Sequence, residues 1–189
     1  MKKIALLIIC IAMTCGAYAQ DGKFSWGVKA SLNLSNIVGS GSDGTNIKVG
    51  YQAGLVGEYR FTKLFAIAPE LVFSAQGAHA DGDIDGVIIK AAANINYINL
   101  PIMAKFYVTK DLSIDFGPQI GYAVFFHTAG VKVPTDNYNA FDFSLGIGAT
   151  YNFNKLFVDA RYNMGLTDIV KHSDSNKNSN IQIGLGYKF

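Results

Sequence analysis

Ile181-Gln182-Ile183-Gly184-Leu185-Gly186-Tyr187-Lys188-Phe189 alternates apolar with small or polar residues and finishes on an aromatic ring. Successive strand side chains point to opposite faces. Ile181, Ile183, Leu185, Tyr187 and Phe189 therefore share one wholly apolar face, and Gln182, Gly184, Gly186 and Lys188 share the other. The pattern is that of a strand facing lipid on one side, and it decides the fold if the chain repeats it.

Seven further segments do so, each of the roughly ten residues that a tilted membrane strand needs. Segment 24–34 sets Phe24, Trp26, Val28, Ala30, Leu32 and Leu34 against Ser25, Lys29, Ser31 and Asn33, and 49–61 sets Tyr51, Ala53, Leu55, Tyr59 and Phe61 against Gln52, Glu58 and Arg60. The third, starting at Phe65, and the fourth, 97–106, oppose Ile67, Leu71, Phe73, Ile98, Leu100 and Ile102 to Glu70, Ser74, Gln76, Tyr97, Asn99, Met103 and Lys105. Segments 112–124, 141–151 and 156–165 follow the same rule. All ten charges within the eight segments lie on the polar parity: Lys29, Glu58, Arg60, Glu70, Lys105, Asp115, Asp142, Asp159, Arg161 and Lys188. A Lys or Arg on the lipid face at mid-membrane would cost about 2–4 kcal/mol, which explains the exclusion.

Connections alternate in length. Polar stretches 35–48, 77–96, 127–139 and 167–180 read as four long surface loops, whereas turns at Thr62–Lys63, 109–111 and 152–155 are tight. Aromatic residues gather at the tight-turn end, among them Trp26, Tyr59, Phe61, Phe65, Phe106, Tyr151, Phe153, Tyr187 and Phe189, as an interfacial girdle does. The expected fold is all-β: an eight-stranded antiparallel up-and-down transmembrane β-barrel. A bore of this size is filled by side chains. Five cations and five anions with Gln, Ser and Asn then form an internal network, and the lumen is expected to be plugged. Pro69, Pro101 and Pro118 fall within strands, where each removes a ladder donor, so bulges are expected there.

At the other end of the sequence, Lys2 and Lys3 precede an apolar run over 4–12, and Ala17-Tyr18-Ala19 supplies the small residues of a cleavage site. Residues 1–19 are expected to be a signal peptide and 20–189 the barrel domain. The run is too short for a membrane helix, and Ala12-Met13-Thr14 is a poor approach to acylation at Cys15. Both cysteines, Cys10 and Cys15, leave with the signal, as do Lys2 and Lys3, which account for the excess of 16 basic over 14 acidic residues. The balanced remainder, without a basic aromatic stripe, argues against nucleic acid.

Nearly the whole of this remainder resembles the Bacteroidetes outer-membrane β-barrel family that includes PorT-like proteins. The resemblance is carried by Phe24-Ser25-Trp26-Gly27-Val28-Lys29-Ala30, Ala68-Pro69-Glu70-Leu71-Val72-Phe73-Ser74, 97–106, Gly117-Pro118-Gln119-Ile120-Gly121-Tyr122, 160–169 and the terminal strand. It implies the cell outer membrane as location, outer-membrane lipid as surroundings and a framework shared by members without one common activity. By resemblance to outer-membrane proteins generally, Phe189 is read by the barrel-insertion machinery.

Chemistry in the loops is sparse. Asp81-Gly82-Asp83-Ile84-Asp85-Gly86 has the oxygen spacing of half a calcium loop, but Ala92 stands where the bidentate Glu would be, which favours a solvated acidic loop. His79, His127 and His172 fall in long connections; His172-Ser173-Asp174 contains hydrolase residue types, yet sequence neighbours do not converge as a nucleophile and base must. No catalytic, cofactor-binding or metal-ligating residues are assigned, and no cofactor is implied. The leading expectation is a non-enzymatic surface or structural protein. A narrow porin-like channel or secretion-associated component is the alternative, with Glu58, Arg60, Glu70, Lys105, Asp115, Asp159 and Arg161 as selectivity residues, and a barrel-embedded hydrolase the third.

Protease added to intact cells should cut only within the four long connections. Cleavage at Lys63 or Lys155 from outside would reverse the orientation.

Overall fold

The computed structural model describes residues 23–39, 45–84, 87–128, 131–132, 138–169 and 176–189. The expected signal peptide, 1–19, lies outside them. Strands are β1 (Lys23–Val38), β2 (Thr45–Arg60), β3 (Phe65–Ile84), β4 (Val87–Tyr107), β5 (Leu112–Thr128), β6 (Val131–Lys132), β7 (Phe141–Phe153), β8 (Leu156–Asp168) and β9 (Lys177–Lys188). β6 is a two-residue strand on the end of β5. The other eight form the wall.

Each wall strand pairs antiparallel with its neighbour in sequence, and β1 pairs with β9, so the sheet closes into a barrel. The closing register runs from Gly27 opposite Lys188 to Val38 opposite Lys177, with Leu32 opposite Ile183. Phe189 extends it by donating its backbone N–H to the Trp26 carbonyl at 2.8 Å. Closure is what lipid demands, because an open edge would leave a row of N–H and C=O groups without partners.

Burial is the inverse of that in a water-soluble protein. Leu32, Leu55, Ile147 and Leu185 are all more than half exposed, while Gln52, Asp115 and Gln182 are 1% exposed or less. Apolar residues cover the outer face and polar ones fill the interior, and an apolar surface this continuous is compatible only with a lipid surrounding. The girdle forms as expected at the tight-turn end. Trp26 and Phe189 stack across the closing seam at 4.4 Å, and Tyr59, Phe61, Phe65 and Phe106 continue the ring-to-ring chain at 4.6, 5.8 and 5.2 Å. Two of the tight turns are pinned alike: Thr62 Oγ1 accepts from the Leu64 and Phe65 N–H groups, and Thr109 Oγ1 from those of Asp111 and Leu112. The third places Asn154 at φ 60°, a left-handed position that Asn tolerates.

Three expectations are corrected. Much of what reads as long loop is strand: β3 and β4, of 20 and 21 residues, run on as a hairpin until Ile84 faces Val87. A tilted strand crosses hydrocarbon in about 9–11 residues, so this hairpin projects well beyond it. The calcium-like segment thereby becomes hairpin, with Asp81 opposite Lys90 and Asp83 opposite Ile88; Asp85 and Gly86 lie outside the described residues. Finally, the prolines make no bulge. The β3–β4 register is the same on both sides of Glu70–Leu71, and the β4–β5 register the same on both sides of Ile102–Met103. A strand residue donates to one neighbour only, so each Pro removes a single bond without shifting the ladder. Bulges occur instead between Ile47 and Gln52, beside Asn96–Tyr97, and between Met164 and Asp168.

Closure and register are testable together in a chain whose strands contain no cysteine. Leu32→Cys with Ile183→Cys should crosslink on mild oxidation, since paired strand positions lie within disulfide reach. Leu32→Cys with Leu185→Cys should not, and the reverse result would require a slipped seam.

Candidate functional site: the barrel lumen

Side chains directed into the barrel form three levels. At the tight-turn end is an ionic cluster. Arg161 of β8 makes a two-pronged pair with Glu70 of β3, Nη2 to Oε1 at 2.6 Å and Nη1 to Oε2 at 3.1 Å. Lys29 of β1 lies between Asp159 at 2.8 Å and Glu70 at 3.4 Å. The polar parity of strands on opposite sides of the wall is thus tied across the bore. Lys105 approaches Asp115 at 3.2 Å and Glu58 at 3.9 Å and donates to Thr150 Oγ1 at 3.0 Å, while Ser113 donates to Asp115 at 2.6 Å. Glu58 gathers Lys188 at 2.8 Å, Arg60 at 3.3 Å and the Tyr107 hydroxyl at 2.6 Å.

Two aromatic residues that sequence reading did not place complete this level. Tyr107 is buried with the Arg60 guanidinium 3.7 Å from its ring centre, and Phe157 is buried beside Lys188. Phe157 occupies space that only Gly186 leaves, since a Cβ there would run into its ring. Strand parity counted from Lys105 and Asp159 would have placed both rings inside. The void left among these groups is about 20 Å³, room for about one water.

The middle level is neutral. Gln52 and Gln182 exchange amide hydrogen bonds at 3.3 and 3.2 Å, and Asn33 donates to Ser74 at 2.9 Å. The side-chain amides of Asn99, Asn163 and Asn180 have no partner among the described residues. Buried amides left so cost about 1–3 kcal/mol each unless solvated, which makes this the level suited to water or a small polar solute.

The third level contradicts the expectation of a polar interior throughout. Ile95, Tyr97, Ala123, Phe126, Tyr138 and Ile169 form a buried apolar cluster at the long-connection end. Ile95, Tyr97 and Ala123 enter it by ordinary alternation, and Phe126 through a bulge: Asn96 pairs with Phe125 but Tyr97 with Ala123, leaving Val124 as the extra residue. That insertion turns Phe126 inward. Tyr138, from the connection before β7, meets it edge-on with ring centres 5.0 Å apart. Asp142 stands at this level, receiving a hydrogen bond from Thr167 at 3.2 Å, rather than in the ionic cluster where the ten-charge network would have placed it.

Of the expected selectivity residues, Glu58, Arg60, Glu70, Lys105, Asp115, Asp159 and Arg161 all meet in the ionic cluster. The histidines do not converge on it. His127 lies on β5 beyond the cluster formed by Phe126, His79 is paired by backbone register with Ala92, and His172-Ser173-Asp174 lies outside the described residues. Among the described residues no group of His, Cys, Asp and Glu is arranged to hold a metal ion.

The family model described as outer membrane protein beta-barrel domain matches residues 18–171. No curated protein matches the chain. Among solved structures it is similar to Neisserial surface protein A, at 13% identity over 88% of this chain and 99% of that one, with a TM-score of 0.58. It is also similar to Ail, the attachment invasion locus protein of Yersinia pestis, in complex with the heparin analogue sucrose octasulfate, at 16% identity, 88% and 99% coverage and a TM-score of 0.54. At such identities the likeness is one of fold.

The cross-bore pair gives a direct stability test. Arg161→Met leaves Glu70 buried with half its compensation and should cost about 3–5 kcal/mol, whereas Arg161→Met with Glu70→Met, which leaves Lys29 on Asp159, should cost much less. Urea unfolding from lipid vesicles measures both. Additive losses would mean that the two side chains act independently.

Proposed function

The chain belongs to the outer membrane protein beta-barrel domain family, and from that premise we propose a non-enzymatic surface protein with a filled lumen, working through the segments that rise beyond the membrane at its long-connection end. Its location in the outer membrane and its contact with lipid follow from the family. The filled lumen is supported above all by the combination of levels: charge pairs crossing the bore at one end and the Phe126–Tyr138 cluster covering it at the other. A solute would have to break several ion pairs at one end and part an apolar seal at the other. The projecting β3–β4 hairpin gives the outer face a paired ridge, a form suited to contact with another macromolecule.

In this reading residues 1–19 are a removed signal peptide and 20–189 the barrel, oriented with the tight turns in the periplasm. Phe189 has a structural task in the seam beside Trp26 and is also the aromatic that the insertion machinery engages. The alternative, a narrow channel, is favoured by one observation, the unpartnered amides of the middle level. Such a level is where a narrow water path would run if the ends opened.

Planar-bilayer recording separates the two. The refolded protein should give no stepwise current, and reproducible steps altered by Glu70→Gln or Lys105→Gln would replace the filled lumen with a selective channel. For assembly, Phe189→Asp should reduce the heat-modifiable, surface-displayed form several-fold in cells; normal display would remove the proposed role of Phe189.

A further inference from the structure

On the outside of the wall, near the long-connection end, lies a recess of about 480 Å³ whose lining includes Lys48, Tyr51, Ala75, Asn94, Asn96 and His127. Strand alternation fixes its position. Asn94 and Asn96 alternate with Ile95 and Tyr97, His127 follows Phe126, and Ala75 sits between Ser74 and Gln76; each of those companions is buried in the interior. The register then sets Ala75 beside Asn96 and Asn94 beside His127. Lys48 falls in the stretch of β2 where the register with β3 shifts, and its ammonium reaches over β3, donating to the Gln76 carbonyl at 3.3 Å and to Asn94 Oδ1. Three strands, β2, β4 and β5, thus bring an ammonium, two amides and an imidazole to one outward place. The floor is low because β3 carries Ala75 there, where other outward positions carry Leu, Ile or Phe, and because the Gly50 backbone of β2 lines it without a side chain.

What lies immediately around it defines the chemistry. Val49 and Tyr51 are more than half exposed, and Phe73, Ile98 and Phe125 continue the exposed apolar face on the neighbouring strands. The recess is therefore the boundary between the lipid-facing belt and the polar rim, at head-group depth. Ammonium, amide and imidazole N–H groups suit an anion with several oxygens, and charge-assisted bonds to phosphate are the strong form of that contact. Basic pockets between the helices of helical membrane proteins take lipid head groups on the same grounds. A free anion would use the donors and leave the apolar border idle, whereas an amphiphile uses both.

We propose that this recess binds the phosphorylated head group of a membrane amphiphile. The phosphate oxygens are held by the Lys48 ammonium, the His127 imidazole and the side-chain amide N–H groups of Asn94 and Asn96, and the acyl chain lies along Tyr51 and Phe73. The site is independent of the lumen and of whether the protein conducts. It would give the barrel a fixed lipid neighbour at the base of the β3–β4 hairpin.

The test is native mass spectrometry of the full refolded barrel in detergent, titrated with phosphatidic acid, with diacylglycerol of the same chains, and with inorganic phosphate. One equivalent of phosphatidic acid should be retained, diacylglycerol should bind at least tenfold more weakly, and millimolar phosphate should not displace the lipid. Lys48→Gln with His127→Gln should weaken retention at least tenfold, while Lys63→Gln, an exposed cation at the opposite end, should leave it unchanged. Should the double variant not fold, the side-chain amide NMR signals of Asn94 and Asn96 in the unsubstituted barrel should shift with phosphatidic acid and not with diacylglycerol. Equal binding of diacylglycerol would reduce the recess to an apolar groove, displacement by phosphate would make it a free-anion site, and undiminished retention by the variant or unmoved amide signals would overturn the assignment.

Discussion

A peptide group in hydrocarbon has no water to bond, and this constraint orders the whole molecule. Every N–H and C=O of the wall needs a partner on a neighbouring strand, so the sheet has to close, and β1 has to find β9 at a sequence separation of about the whole domain. The pairing is supported at its end by the Trp26–Phe189 contact and the bond from Phe189 N–H to Trp26 carbonyl. Once the sheet is closed, parity becomes destiny. One face of each strand belongs to lipid and the other to a narrow interior.

The interior then has its own problem, because eight strands enclose little space and the polar parity fills it with charge. Pairing across the bore solves it. Glu70 faces Arg161 from the far side of the wall with Lys29 beside it, and Glu58 collects Lys188, Arg60, Lys105 and the Tyr107 hydroxyl at the tight-turn end. Buried charge is tolerable only in such company. The cluster contributes order as well as charge balance, since Glu70–Arg161, Lys29–Asp159 and Glu58–Lys188 tie strands distant in sequence. Above it the interior passes through an amide level to an apolar one, so electrostatics governs one end of the lumen and packing the other.

The outer faces and the strand count were legible because lipid enforces alternation wherever it touches the wall. Beyond the lipid that pressure ceases. Around Ala78, Ala80 and 91–96 both faces are free to be polar or small, the period of two fades, and strand is indistinguishable from loop in sequence. The Val124 bulge was hidden for a different reason: Ala123-Val124-Phe125-Phe126 is apolar throughout, so no polar residue marks the step at which the chain changes face. Partner choice within the ionic cluster was unreadable too. Parity says that Glu70, Lys29 and Arg161 point inward, but only the stagger of the closed sheet brings them to one height. The prolines misled because a missing donor suggests a bulge, whereas a ladder can lose one bond and keep its register.

Closure of β1 on β9 is the claim on which the rest stands, and amide hydrogen exchange of the protein in lipid bilayers measures it residue by residue. Ladder amides of Val28 to Leu34 and of Ile181 to Tyr187 should exchange as slowly as those joining β7 to β8, around Ile147 and Tyr162. Rapid exchange confined to β1 and β9, with the β7–β8 amides protected, would mean an open sheet and would contradict the barrel.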